Sequence, residues 1–122
     1  MSDASRSFFS RASAIFAAVP FLVHAPTMRV PGNIDGTDKV YCATWAALLA
    51  VQAYNHAHGH RIETVAFPAM GTGFGRVPFD EAARQMAAAW RNYLDPPHRL
   101  DWEFVIERHR AVCYDGPRQV VK

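Results

Sequence analysis

Between Val65 and Ala83 the chain reads VAFPAMGTGFGRVPFDEAA: an apolar run, a loop with glycines at 71, 73 and 75, and a helix start, in immediate succession. No other stretch constrains the fold as strongly. Three missing Cβ atoms let backbone N–H groups come close to an anion, and positive φ costs little at glycine. A loop of this kind between strand and helix is where α/β proteins hold phosphates. The segment predicts a phosphate-bearing ligand, a nucleotide, seated on Gly71, Thr72, Gly73, Phe74, Gly75 and Arg76. Asp80 and Glu81 put negative charge at the helix start, so the phosphate is expected on the loop amides and not on the helix dipole. Arg76 reads either as a bidentate phosphate partner or as a solvated surface residue.

The rest of the chain supplies a frame for that loop. At 122 residues a single domain is expected over 1–122. Phe8, Phe9, Ala12, Ile15 and Phe16 share a helical stripe over residues 3–17, which Pro20 ends. Phe21 to Ala25 is a short apolar run typical of a strand covered on both faces. Residues 26–36, with two prolines, two glycines and an asparagine, form a loop. Thr37 or Asp38 caps a helix reaching about Ala57, with Gly59 at its exit. A strand over 62–67 precedes the glycine loop, and Pro78 opens the next helix. There Ala83, Met86, Ala87, Trp90 and Leu94 make the expected buried stripe, and Asp95-Pro96-Pro97 stops the helix. Trp102 to Ile106 reads as part of a third strand over 102–107, and Asp115-Gly116-Pro117 turns into a tail over 115–122. Strand and helix alternate, so the expected fold is a three-layer α-β-α unit with a largely parallel sheet. Trp45 and Trp90 are expected in the core, and emptying the Trp90 site should cost about 3–5 kcal/mol.

Two separated segments carry a family resemblance. VAFPAMGTGFGRVPFDEAARQ resembles the second phosphate-binding loop of macro domains, modules that bind ADP-ribose, and FLVHAPTMRVPGNIDGTDKVYCATWAALLAV is similar to the strand and helix that precede it. The wording APTMRVP and GTG resembles macro-domain-like variants found in phages and bacteria. The resemblance runs from about Pro20 to Trp90. It implies ADP-ribose or a related nucleotide as ligand, with the diphosphate on residues 71–76 and Phe74 against a ribose. Macro domains begin with an Asn-rich strand, an adenine-reading Asp and a first glycine loop, whereas residues 1–18 contain neither Gly nor Asn. The resemblance therefore implies the C-terminal portion of the fold, with 1–18 as a helix or extension. The activity it implies, if any, is hydrolysis of ADP-ribosyl adducts, and no residue here is assigned to catalysis.

Composition sets the other bounds. Half the residues are apolar, a fifth are charged, and the net charge is +2 with basic residues scattered, which gives no dedicated nucleic-acid surface. No apolar run reaches the ~18 residues of a spanning helix. Arg6 and Arg11 before an apolar stretch imitate a secretory signal, but no small-x-small site follows in place, and a cytoplasmic protein is expected. In that compartment Cys42 and Cys113 read as buried reduced thiols. His56, His58 and His60 around Gly59 lack the geometry of a metal site, and His24 reads as a structural histidine, so neither metal nor cofactor is expected. A second class of function stands beside nucleotide binding: a truncated, non-binding subunit whose incomplete sheet exposes an edge to a partner chain or to another copy.

Overall fold

The computed structural model describes residues 19–59, 61–117 and 120. The expected helix over 3–17 lies outside them. The described residues hold three helices and no sheet: α1 (Lys39–His58), α2 (Phe79–Leu94) and α3 (Trp102–Cys113). The expected α/β fold with a parallel sheet is therefore not what the described residues form. None of these helices is long and apolar enough to cross a membrane.

The bounds of α1 follow from local chemistry. Six alanines and no Gly or Pro favour helix from Lys39 onward, and Gly59 closes it in the left-handed region (φ 76°), its N–H donating to Asn55 O. The start is less self-sufficient. Asp38 occupies the cap position without a side-chain cap bond, while the Thr37 hydroxyl donates to Ile34 O at 2.7 Å. A group from another helix meets the need: the backbone N–H of Tyr41 donates to Gln85 Oε1 at 3.0 Å.

That bond fixes how α2 is turned. Its buried positions are Glu81, Ala82, Gln85, Ala88 and Ala89, whereas Ala83, Ala87, Trp90 and Leu94 are exposed and Met86 is only half-buried. The expected apolar stripe thus looks away from the core, and a polar cluster faces in. Burying polar groups costs free energy unless they are hydrogen-bonded, and here they are. Gln85 Nε2 donates to Thr37 O (2.8 Å) and Glu81 Oε1 (2.9 Å). Arg84 pairs with both oxygens of Glu81 at 2.9 and 2.8 Å. Trp90 is 49% exposed and stacks on Tyr93, with ring centroids 5.7 Å apart. Trp45 is half-buried against Tyr41. Neither tryptophan is the fully buried core residue expected. Trp90→Ala should consequently cost about 1 kcal/mol in urea denaturation, a partial ring contact and no cavity; a loss of 3 kcal/mol would place the ring in a closed core.

The segment expected as a third strand is α3. Asp101 caps it by accepting from Phe104 N at 2.9 Å, and Arg108 lies over the Phe104 ring at 4.5 Å, one helical turn on. The guanidinium of Arg84 joins α3 to α2, donating to Ala111 O (3.1 Å) and Val112 O (2.7 Å), carbonyls at a helix end that carries partial negative charge. Arg108 does the converse, donating to Asn92 O at 3.0 Å and to Asp95 O at the end of α2.

Among the described residues, two small apolar clusters stand out, and Ala43, Ala47, Leu48, Ala88 and Ala89 are buried beside them. Ile34, Val40, Val77 and Ala82 form one, with Met28, Met70 and Met86 against it. Val112, Cys113 and Val120 form the other, with Tyr41. Cys113 is buried as expected, but Cys42 is exposed.

The two remaining expected strands, 21–25 and 62–67, run without regular secondary structure and make no ladder among the described residues. A side-chain amide stands in for a neighbouring strand at one residue. Ile62 N donates to Asn55 Oδ1 (2.9 Å) and Asn55 Nδ2 donates to Ile62 O (2.8 Å), a two-bond exchange with α1.

Candidate functional site

The glycine loop lies between residues 62–67 and α2, and its own backbone closes it. Thr72 N donates to Ala69 O (3.4 Å), Arg76 N to Gly73 O (3.1 Å) and Val77 N to Gly71 O (3.0 Å). The Thr72 hydroxyl also donates to Ala69 O, at 2.7 Å. The amides of Thr72 and Arg76 are thus engaged within the loop. Among the described residues, no acceptor meets the amides of Gly73 and Phe74. Both residues are exposed, Phe74 by 80%.

The three glycines are not equivalent. A Cβ on Gly71 (φ 75°) would lie 2.8 Å from Val40 Cγ2, and one on Gly75 would lie 2.4 Å from Gly71 O and 2.8 Å from Ile34 Cγ1. Both are glycine because the loop folds tightly over Ile34 and Val40. Gly73 has nothing within 4 Å of a built Cβ, so its open side faces solvent. Gly75→Ala should therefore destabilise the protein by about 1–3 kcal/mol, as overpacking does, and Gly73→Ala should stay within about 0.5 kcal/mol. Chemical denaturation of the two variants checks this; equal losses would mean that the loop relaxes freely.

A wall that the sequence reading passed over stands opposite. Ile34 N donates to Gly75 O at 2.9 Å, clasping the 31–36 turn to the loop. The Asn33 side chain shapes that turn by accepting from Asp35 N at 2.9 Å. Between wall and loop is an open hollow of about 680 Å³ lined by Pro31, Gly32, Asn33, Gly73, Phe74 and Arg76. Its signal was the Pro-Gly-Asn run at 31–33, which says turn without saying what the turn packs against. Of the six residues expected to hold a ligand, Gly73, Phe74 and Arg76 line the hollow, while Gly71, Thr72 and Gly75 build the loop beneath.

Charge at the hollow is set by Arg76, exposed and in the left-handed region at φ 56°. Of the two acids at the helix start, Asp80 is exposed, whereas Glu81 is buried and bound by Arg84 and Gln85. The Glu81 carboxylate bonded to Arg84 holds that guanidinium above its ordinary range. A group raised in this way contributes its stability at every pH below its unfolded value, so Arg84 stays charged throughout the neutral range. His24, His56 and His58 are exposed; the His58 ring donates from Nδ1 to Tyr54 O at 2.9 Å, and His60 lies outside the described residues. Among the described residues, no cluster of His, Cys, Asp and Glu is grouped to hold a metal ion.

Comparison with known proteins gives this loop a lineage. Residues 11–86 match the model of the macro domain family, whose members bind ADP-ribose. An uncharacterized protein from Aeropyrum pernix is 43% identical over 82 residues, 61% of this chain and 40% of its own length. An uncharacterized protein from Aquifex aeolicus is 40% identical over 72 residues, 59% of this chain and 40% of its own length. The chain thus spans about 40% of the curated relatives it matches. No solved structure gives a significant match. The family match covers more than half the sequence and includes the glycine loop and the wall that clasps it: the chain belongs to the macro domain family.

Proposed function

We propose that the chain binds ADP-ribose or a related nucleotide diphosphate at the hollow beside the glycine loop. The observation that carries this reading is the pair of amides at the exposed Gly73 and Phe74, with no protein acceptor among the described residues, beside Arg76 at the same hollow. A diphosphate oxygen accepts from such amides through charge-assisted bonds, each worth roughly 1.5–3 kcal/mol. Arg76 adds a planar donor pair for a second oxygen, and the exposed Phe74 ring offers an apolar face to a ribose. Asn33 Oδ1 is held by Asp35 N, which leaves the Nδ2 donor for the ligand from the opposite wall. The reading is of binding, with no residue assigned to catalysis.

Calorimetric titration with ADP-ribose and with ADP tests it. Both should bind weakly and on similar terms, because the contacts named go to the diphosphate and one ribose. Gly73→Glu should abolish binding by adding bulk and like charge at the amides, while Gly73→Ala, sterically silent in the fold, should retain most of it. No heat with either ligand from a folded protein overturns the proposal, as does a Gly73→Glu variant that binds as well as the parent.

A further inference from the structure

The stripe of α2 that the fold leaves outside has no part in the nucleotide reading. Phe79, Ala83, Ala87, Trp90 and Leu94 fall at helical spacings that put them on one side of the helix, and all five are exposed. Phe79 is 73% exposed and Leu94 60%, so the stripe is open at both ends. The attachments of α2 set its borders. Along one edge Ala82 belongs to the Ile34–Val40–Val77 cluster and Met86 packs on it. Beyond the other edge Arg84 donates to the end of α3, and Asn92 O accepts from Arg108. Between them lies an apolar outer face on a helix whose inner face carries the polar groups.

An isolated exposed leucine needs no explanation, but a contiguous apolar row does. At roughly 150–250 Å² per aromatic side chain, Phe79 and Trp90 alone present about 250 Å². Charge indicates what covers them. Asp80 and Arg91 are both exposed and, about three helical turns apart, share the flank of the stripe nearer α3. Neither is in a salt bridge among the described residues. We propose that this face is the interface of a homodimer in which two α2 helices pack antiparallel.

The pattern is complementary to itself, as a two-fold contact requires. With Phe79 against the partner's Leu94, Ala83 meets the partner's Trp90 and Ala87 the partner's Met86, so small residues face large ones along the row. In that register Asp80 is offset from the partner's Arg91 by two residues, about 3 Å along the axis, within the reach of an arginine. Symmetry makes the pair twice. A parallel arrangement would instead set Asp80 against Asp80 and Arg91 against Arg91, and would align the helix dipoles unfavourably. Two patches of this size reach only the lower end of specific interfaces, so the dimer is weak, with a Kd of about 10–100 µM.

Sedimentation velocity of the full chain from about 5 to about 500 µM, which brackets that Kd, is the test. Monomer should give way to dimer across the range. Asp80→Arg and Arg91→Asp each set like charges together twice, and each should weaken association at least tenfold. Ala87→Glu, a charge on the stripe at an exposed position of good helix propensity, should abolish it. Mixing the two charge variants in equal amounts should restore dimers, because the mixed pair regains both opposite-charge contacts. Circular dichroism checks that each variant keeps its helices. A chain that stays monomeric throughout overturns the proposal, as do charge variants that dimerise like the parent, a mixture no better than its components, or assembly that runs past the dimer.

Discussion

Replacing Arg84 with methionine is expected to remove about 3–5 kcal/mol of folding stability, the cost of leaving a buried charge without its partner. Glu81 is buried, and Arg84 binds both of its oxygens. The same guanidinium supplies Ala111 O and Val112 O at the end of α3, so methionine would strip donors from two further acceptors. Against the 5–15 kcal/mol that holds an ordinary domain, and with apolar clusters as small as these, such a loss brings the chain close to unfolding. Urea denaturation followed by circular dichroism measures it, and a loss near 1 kcal/mol would mean that the pair is solvated like a surface bridge. The double variant Glu81→Gln with Arg84→Met should regain part of the loss, since no unpaired charge then remains.

Gln85→Leu is expected to cost about 2–5 kcal/mol, because two part-buried backbone groups lose their partner at roughly 1–3 kcal/mol each. Gln85 is fully buried and nearly isosteric with leucine, so the loss is polar and not a cavity. Tyr41 N would lose its acceptor and Thr37 O its donor, both at the entrance of α1. Hydrogen exchange distinguishes this from general loosening. The Tyr41 amide should speed up more than amides in the middle of α1, and uniform acceleration along α1 would refute a local capping role.

Where the sequence reading succeeded, the signal was local. Gly59 ends α1 as expected, and Pro78 and Asp95-Pro96 bracket α2, because backbone conformation at glycine and proline is dictated by the residue itself. The face that α2 buries was not local. A stripe of Ala, Met, Trp and Leu reads as the inward side, yet the rotation is decided by Gln85 and Arg84 reaching partners 27 to 48 positions away. Trp102 to Ile106 fails for another reason: five apolar-rich residues fit a buried strand or a helix turn equally well. The tie-breaker was present in Asp101, an N-cap followed by a chain without Gly or Pro up to Gly116. For 21–25 and 62–67 the apolar runs were legible, but a strand needs a neighbour to form a ladder, and its own letters cannot show whether one is alongside. In the loop, three identical glycines hid two different jobs. Only the positions of Ile34 and Val40 separate Gly73 from Gly71 and Gly75.

Similarity to the family stops at Met86, in the middle of α2. A fragment cut at that border would keep Glu81, Arg84 and Gln85 while discarding the second half of the helix that carries them and the α3 carbonyls that Arg84 binds. The span over which ancestry can be recognised is thus shorter than the span that must fold together. Anyone expressing or transplanting the glycine loop should take the chain at least through Cys113, because the groups that seat the loop's helix are anchored beyond the point where the likeness ends.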